Sequence, residues 1–214
     1  MAPSVAWALS GTPRRDWNVS VVRNAADDPA GDTLATLDEA ALVDACLASQ
    51  PGAFDLVVER HRRTVYQLCY RFVGNHEDAA DLSQDVFVRA YRGLKTFRRQ
   101  SSLATWLYRI GVNVCLNRVN AKAVRTEPID EGRHVDAGHD SPAERVLKRE
   151  RAALVRHAIA RLPRKQRATL ILRMYHELPH QEIADILECS VGAVKANFFH
   201  ALGNLKKLLA DESL

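Results

Sequence analysis

The sequence predicts an all-α protein: two small helical domains joined by a flexible linker. Three observations lead there. Apolar residues recur at helical spacing through residues 37–120 and again from about Ala143 to Leu209, with no strong strand signal. Glycine and aromatic residues are sparse, while Ala, Leu, Val and Arg are common, which favours helices over sheets. Between the two periodic blocks, residues 121–143 carry Pro128, Gly132, Gly138, Pro142 and five acids, the composition of a linker.

The elements follow in order. Residues 1–36 lack a sustained period, contain Gly11, Pro13, Pro29 and Gly31, and are expected to be a disordered tail. Domain 37–120 opens with Leu42 and Cys46, breaks at Pro51-Gly52 and resumes with Phe54, Val57 and Val58. A further helix is expected over Thr64–Val73, stopped by Gly74-Asn75. Another runs from Glu77 to Gly93 and begins with acids, as helix N-termini prefer. The last spans Ser102–Asn120, capped by Ser101 or Ser102, with Leu103, Leu107, Ile110 and Val114 packed inward. Domain 144–214 is helical, with interruptions at Pro163, Pro179 and Cys189-Ser190.

Charge is distributed unevenly within a net +4. Residues 37–120 carry a net +2 and residues 144–214 a net +5, separated by a −2 linker. No run approaches 18 apolar residues, so no membrane insertion is expected. The N-terminal apolar run has no basic residue before it and makes a poor secretory signal, so a cytoplasmic chain is expected. Cys46, Cys69, Cys115 and Cys189 form no CxxC pair and read as small buried hydrophobes of a reducing compartment.

The sharpest feature is the acid-free stretch 86–126, with nine Lys/Arg and interleaved Phe87, Tyr91, Phe97, Trp106 and Tyr108. Cations neutralise phosphates by counterion release, and aromatic rings stack on bases that have left the duplex. That pairing suits melted or single-stranded DNA. Trp106, Arg109, Asn113, Asn117 and Asn120 line one face of the Ser102–Asn120 helix, where Asn can read base edges as donor and acceptor. The bland alternative is a solvated polar face with a half-buried Trp.

Residues 178–207 pattern as a helix-turn-helix, so the fold class is all-α with a helix-turn-helix in its C-terminal domain. Ile183, Ala184 and Leu187 point inward from the first helix, and Glu188-Cys189-Ser190 makes the turn. Val194, Phe198, Ala201, Leu205 and Leu208 form the apolar stripe of the second; Ala193, Asn197, His200 and Asn204 oppose it. Ser190 can cap that helix, and Gly192, Ala193 and Ala196 favour close approach to DNA. His176-Glu177-Leu178-Pro179-His180 matches the H-E-x-x-H zinc pattern by letter. Zinc binding needs both His on one continuous helix, and Pro179 breaks it, so a loop is expected. No metal site is expected among Glu77, Asp78, Asp81 and Asp85 either, because no Glu-x-x-His partner accompanies them.

Three segments, DAADLSQDVFVRAYRGLKTF, SSLATWLYRIGVNVCLNR and LPRKQRATLILRMYHELPHQEIADILECSVGAVKANFFHAL, together resemble the extracytoplasmic-function (ECF) group of sigma-70 family sigma factors. The resemblance covers about residues 37–120 and 144–210 and implies a sigma domain 2 and a sigma domain 4. It implies that Asp81, Leu82, Gln84, Asp85 and Phe87 bind the β′ clamp helices of core RNA polymerase. Arg98, Arg99, Ser102, Thr105, Trp106, Arg109, Asn113, Asn117, Arg118 and Lys122 are implied to recognise and melt the −10 element and hold a flipped base. Ser190, Val191, Gly192, Ala193, Lys195, Ala196, Asn197 and His200 are implied to read the −35 element, in a domain that also contacts the β flap. Family members often carry Arg where this chain has Asn197 and His200. Promoter DNA, the polymerase and an anti-sigma factor are the implied partners. No cofactor or enzymatic activity is implied, because the polymerase does the chemistry. A conventional helix-turn-helix regulator of duplex DNA, and a helical adaptor that binds proteins only, stay open at this point.

Overall fold

The computed structural model describes residues 37–123 and 142–211. The expected tail 1–36 and the greater part of the expected linker 121–143 lie outside the described residues. Eight α-helices and no strand occur among the described residues. In order they are α1 (Glu39–Leu47), α2 (Ala53–Val73), α3 (His76–Gly93), α4 (Leu103–Ala123), α5 (Pro142–Ala160), α6 (Arg164–Tyr175), α7 (His180–Leu187) and α8 (Val191–Asp211). The compact units are residues 1–60 and 61–214, so helices from both sides of segment 121–143 belong to the second.

In the first unit, Asp38 caps α1 by accepting from the Ala41 amide at 2.7 Å. Leu42 and Val43 are buried, and Arg60 reaches back to the Leu37 carbonyl at 2.8 Å. Gly52 (φ +80°) makes the turn before α2, a conformation that favours a residue without Cβ. From there α2 runs unbroken for 21 residues, where the sequence suggested separate pieces. Nothing in Glu59-Arg60-His61-Arg62-Arg63 breaks a helix, so the pieces join.

In the second unit, Leu68, Phe72, Val86, Leu103 and Leu107 are almost completely buried where α3 packs on α4 and α2 runs beside them. Gly74 (φ +78°) ends α2, with its amide on the Tyr70 carbonyl at 2.8 Å. Asn75 caps α3 by accepting from the Asp78 amide at 2.7 Å. Helix α4 buries more than the single expected stripe: Tyr108, Val112, Cys115 and Leu116 join Leu103, Leu107 and Val114, while Ile110 is only half-buried. It packs against α3 on one side and α7 on another, so it is not amphipathic in the simple sense. Tyr108, expected among the base-stacking aromatics, is 9% exposed. Helices α6, α7 and α8 close a second apolar centre around Leu170, Ile171, Ile183 and Val194.

The cysteines behave as the sequence suggests at Cys69 and Cys115, which are fully buried. A hydrogen bond to Cys69, and then burial, push the Cys115 thiol up and keep it protonated. Cys46 and Cys189 are half-buried.

Two polar links tie α4 and α2 to the helices that follow. Arg167 of α6, 5% exposed, donates to the Phe72 carbonyl and to the Ala160 carbonyl at 3.2 Å. Burial lowers its pKa to about 10, so it stays charged at neutral pH. The Tyr108 hydroxyl and His176 Nδ1 are 2.9 Å apart, with their rings edge to face. Burial, reinforced by the Arg71 cation, lowers the His176 pKa to about 4.

Two predictions follow from this packing. A Cβ at Gly111 would lie 2.7 Å from Leu68 Cδ2, and Leu68 is fully buried, so its side chain must shift within a packed core. Gly111→Val is expected to cost about 1–3 kcal/mol in urea unfolding, outweighing any gain in helix propensity. His176 is neutral in the fold and titrates higher in the unfolded chain, so its contribution is complete above about pH 6.5 and is lost as pH falls toward 4. Unfolding of the wild type across that window should lose on the order of 2–3 kcal/mol more than a His176→Phe variant, and parallel profiles would assign the loss elsewhere.

Candidate nucleic-acid interface

The surface around the start of α4 is built by a cap and a stacked pair. The Ser102 hydroxyl accepts from the Thr105 amide at 3.1 Å and pairs with the Thr105 hydroxyl at 2.8 Å. Thr105 is 6% exposed, so it holds the cap and is not itself presented to a ligand. A single 3₁₀ turn, Leu94–Thr96, delivers Phe97 against Trp106, with ring centroids 5.1 Å apart and planes at 39°. Both rings remain half-buried, and the exposed Arg98, Arg99 and Gln100 surround them. Arg99 sits at φ +56° in the bend that brings the chain into α4.

Phe97, Trp106, Arg98 and Arg109 line one side of a cleft of about 780 Å³. Ala184, Asp185, Glu188 and Cys189 line the other. Arg109 crosses it, donating to the Asp185 carbonyl at 2.7 Å and standing 3.4 Å from a Glu188 carboxylate oxygen. Asn113 and Asn117 are exposed further along α4. Arg118 is held differently: its guanidinium donates to Asp78 at 2.8 Å, and that bond raises its pKa. Asp78 in turn accepts from the Asn75 amide group, so Arg118 ties α4 to the start of α3. The side chain of Lys122, like that of Asn120, lies outside the described residues.

The expected polymerase-facing residues divide by burial. On α3, Asp81 and Gln84 are exposed and Asp85 is partly so, in an exposed ion pair with Arg89 at 3.0 Å. Leu82 and Phe87 are 8% and 5% exposed and form the apolar underside of that face.

The helix-turn-helix forms as the sequence predicts. Glu188 takes the left-handed conformation (φ +49°) and the Cys189 amide bonds the Ala184 carbonyl at 3.0 Å. The Ser190 hydroxyl then accepts from the Ala193 amide at 3.2 Å and caps α8. In α7 the buried residue is Ile186 and not Leu187. In α8, Val194 and Ala201 are buried and define the inward direction. The outward face is therefore Gly192, Lys195, Ala196, Phe199 and His200, rotated from the expected stripe. Val191, Ala193 and Asn197 are half-buried, and Asn204 bonds Gln166 at 2.8 Å. Phe199, not anticipated from sequence, is 75% exposed. Counting 100° per residue from Val194 would have found it. From Val191 to Ala210 there is no acid, so the exposed face carries only cationic charge.

The zinc-like pentapeptide separates as expected. Helix α6 ends at Tyr175, residues 176–179 are non-helical, and α7 begins at His180. His176 turns to Tyr108, while His180 packs edge to face on Phe198. No group of three or more His, Cys, Asp or Glu poised for a metal occurs among the described residues.

With this geometry in place, comparison with known proteins is specific. The family profile for sigma-70 region 2 matches residues 57–124, and that for sigma-70, region 4 matches residues 152–205. RNA polymerase sigma-H factor of Pseudomonas aeruginosa is 34% identical over 177 residues, spanning 78% of this chain and 92% of its own. ECF RNA polymerase sigma factor SigW of Bacillus subtilis is 32% identical over 168 residues, spanning 74% and 90%. Among solved structures, CnrH in complex with the cytosolic domain of CnrY aligns with a TM-score of 0.59 and 25% identity, covering 81% of this chain and 97% of that one. The two profiles fall on the two segments that carry the stacked aromatic pair and the helix-turn-helix, in that order. This chain therefore belongs to the ECF sigma factors of the sigma-70 family and is a transcription initiation factor.

Proposed function

We propose a division of labour along the chain in which α3 binds core polymerase, α4 opens the −10 element and α8 reads the −35 element. The observation that carries it is the Phe97–Trp106 pair, set among exposed arginines on an acid-free segment. Aromatic surface offers a stacking platform only for bases outside the duplex, so α4 suits melted DNA. Asp81, Gln84 and Asp85 supply the exposed polar face for the β′ clamp helices, with Leu82 and Phe87 fixing the helix beneath them. The capped N-terminus of α8, with Lys195, Ala196, Phe199 and His200 outward, enters the major groove, and its domain contacts the β flap. Apolar contact from Ala196 and Phe199 suits thymine methyl groups.

The chain supplies binding and strain to DNA, and no reaction chemistry of its own. It works where the polymerase works, in the cytoplasm, and no helix among the described residues is long and apolar enough to cross a membrane. CnrH is seen in complex with the cytosolic domain of CnrY; a protein that masks α3 or α8 is the corresponding expectation for this chain.

Run-off transcription tests the reading: sigma-free core polymerase on pooled genomic promoter fragments should yield discrete new transcripts only when this chain is added. Specific duplex binding by the chain alone, with no transcripts, would instead support a conventional regulator. Once a promoter is in hand, Trp106→Ala should weaken opening by about 1–3 kcal/mol, read as lost permanganate reactivity of melted thymines. Lys195→Ala should weaken −35 binding nearly uniformly across sequences and reduce the salt slope by about 1, whereas His200→Ala should relax discrimination at the −35 element.

A further inference from the structure

Gly93 closes α3 at φ −88° and ψ −5°, a conformation that most residues adopt in an ordinary turn. The backbone there does not call for glycine, and glycine is a weak helix former. Its surroundings call for a small residue instead. A Cβ at this position would lie 3.6 Å from Trp106 Cζ2 and 4.0 Å from Cη2, with the Thr96 hydroxyl oxygen at 3.9 Å. The benzo edge of the indole therefore rests beside the last residue of α3, and a single methyl group would already bring the two into van der Waals contact.

Further contacts make this a built seat. The Thr96 hydroxyl donates to the Gly93 carbonyl at 2.7 Å, and the Phe97 amide donates to the Leu94 carbonyl at 3.0 Å, which fixes the turn after α3. That turn carries Phe97 onto the indole, with ring centroids 5.1 Å apart. From the other side, the Trp106 amide donates to the Ser102 carbonyl at 3.1 Å in the first turn of α4. Leu94 and Leu103 are buried beneath and anchor both segments. The indole is thus located by its own helix, by Phe97 and by the bare backbone of Gly93.

We propose that Gly93 is a positioning residue for promoter opening: its missing side chain, together with the Thr96 clasp, sets how far the Trp106 ring lies back against α3, and so where the stacking platform meets an unpaired base. The inference rests on the reading of α4 as the element that opens −10. It adds to that reading a residue on the neighbouring helix, one that touches no DNA and acts through Trp106. A branched side chain at this position fills two of the three staggered directions from Cβ, space that the indole and Thr96 already take. The ring is then pushed outward, away from the place where Phe97 and α4 hold it.

The test is a double-mutant cycle with full-length chain and core polymerase at one responsive promoter, using Gly93→Val, Trp106→Ala and the two combined, with Gly93→Ala as the conservative variant. Opening is read as permanganate reactivity of melted thymines, alongside polymerase affinity and DNase I protection at −35. Replacing Trp7 and Trp17 by Phe leaves Trp106 as the sole tryptophan, whose emission reports its surroundings. Gly93→Val should lower opening about tenfold, within the span of losing one base–aromatic stack, and shift Trp106 emission to the red. Polymerase affinity and −35 protection should not change, and Gly93→Ala should open promoters as the wild type does. With Trp106 already Ala, Gly93→Val should cost no more than about twofold further. Should Gly93→Val fail to fold by circular dichroism, Thr96→Ala takes its place, with a loss of about threefold for the missing hydrogen bond, again absent without Trp106. Wild-type opening in the folded variant, an equal loss in Gly93→Ala, a loss shared by polymerase affinity, or a loss that persists in full without Trp106 overturns the proposal. The remaining arms separate the two readings: unimpaired opening by Trp106→Ala, or no melted thymines with the wild type, overturns the role of α4 on which the proposal rests.

Discussion

Arg167 carries a full positive charge into a site where it is 5% exposed, and the order of the second compact unit depends on how that charge is satisfied. Moving a guanidinium out of water costs several kcal/mol unless its donors find acceptors. Here the acceptors are the carbonyls of Phe72 and Ala160, each near the C-terminal end of its helix. Helix ends carry unpaired carbonyls and partial negative charge, so one cation answers two deficits at once. The Phe72 ring beneath the guanidinium adds a contact at 5.8 Å. Through this residue the end of α2, the end of α5 and the body of α6 share one fixed point. Tyr108, Arg109, Arg71 and their partners extend that contact outward toward the cleft.

The surface around the start of α4 is ordered in a similar way. Deep in α4, Leu103 and Leu107 are fixed by burial, and the Ser102–Thr105 cap sets where the helix starts. Trp106 then has its position defined from one side by the helix and from the other by Phe97. A rigid aromatic platform loses little entropy when a base stacks on it, which suits the role proposed for α4. Helix α8 is prepared in the same way, with Glu188 in the left-handed turn and Ser190 on the cap. In both places a local backbone device positions side chains that the core then holds.

Much of this was legible in the sequence because it rests on local rules. The helix-turn-helix, the Ser190 cap, the interruption at Pro179 and the acid-free aromatic segment are readable from residue type and spacing alone. Most of the misses have a common origin. The inward stripe of α4 was drawn for a helix with one buried side, whereas α4 packs on two. The outward face of α8 was drawn through Asn204, which instead bonds Gln166 from α6, and so Phe199 went unnoticed. The ion pair of Arg118 with Asp78, 40 residues away, went unforeseen because nothing local announces it. Long-range partners decide the second buried side of α4, the Asn204–Gln166 bond and the Arg118–Asp78 pair, whereas the exposure of Phe199 follows from the helical period counted from Val194. Continuity of α2 was a further local misjudgement: a separate helix was expected from Thr64, after a charged run that contains no Gly or Pro.

The central claim is that this transcription initiation factor directs core polymerase to promoters, as proposed, through α4 at −10 and α8 at −35. The most direct measurement is a combined DNase I and permanganate footprint of core polymerase on a single responsive promoter, with and without this chain. Protection at −35 together with reactive thymines at −10, both absent when either protein is omitted, is the predicted result. Protection by this chain alone at two paired half-sites, with no melted thymines when polymerase is added, would contradict it.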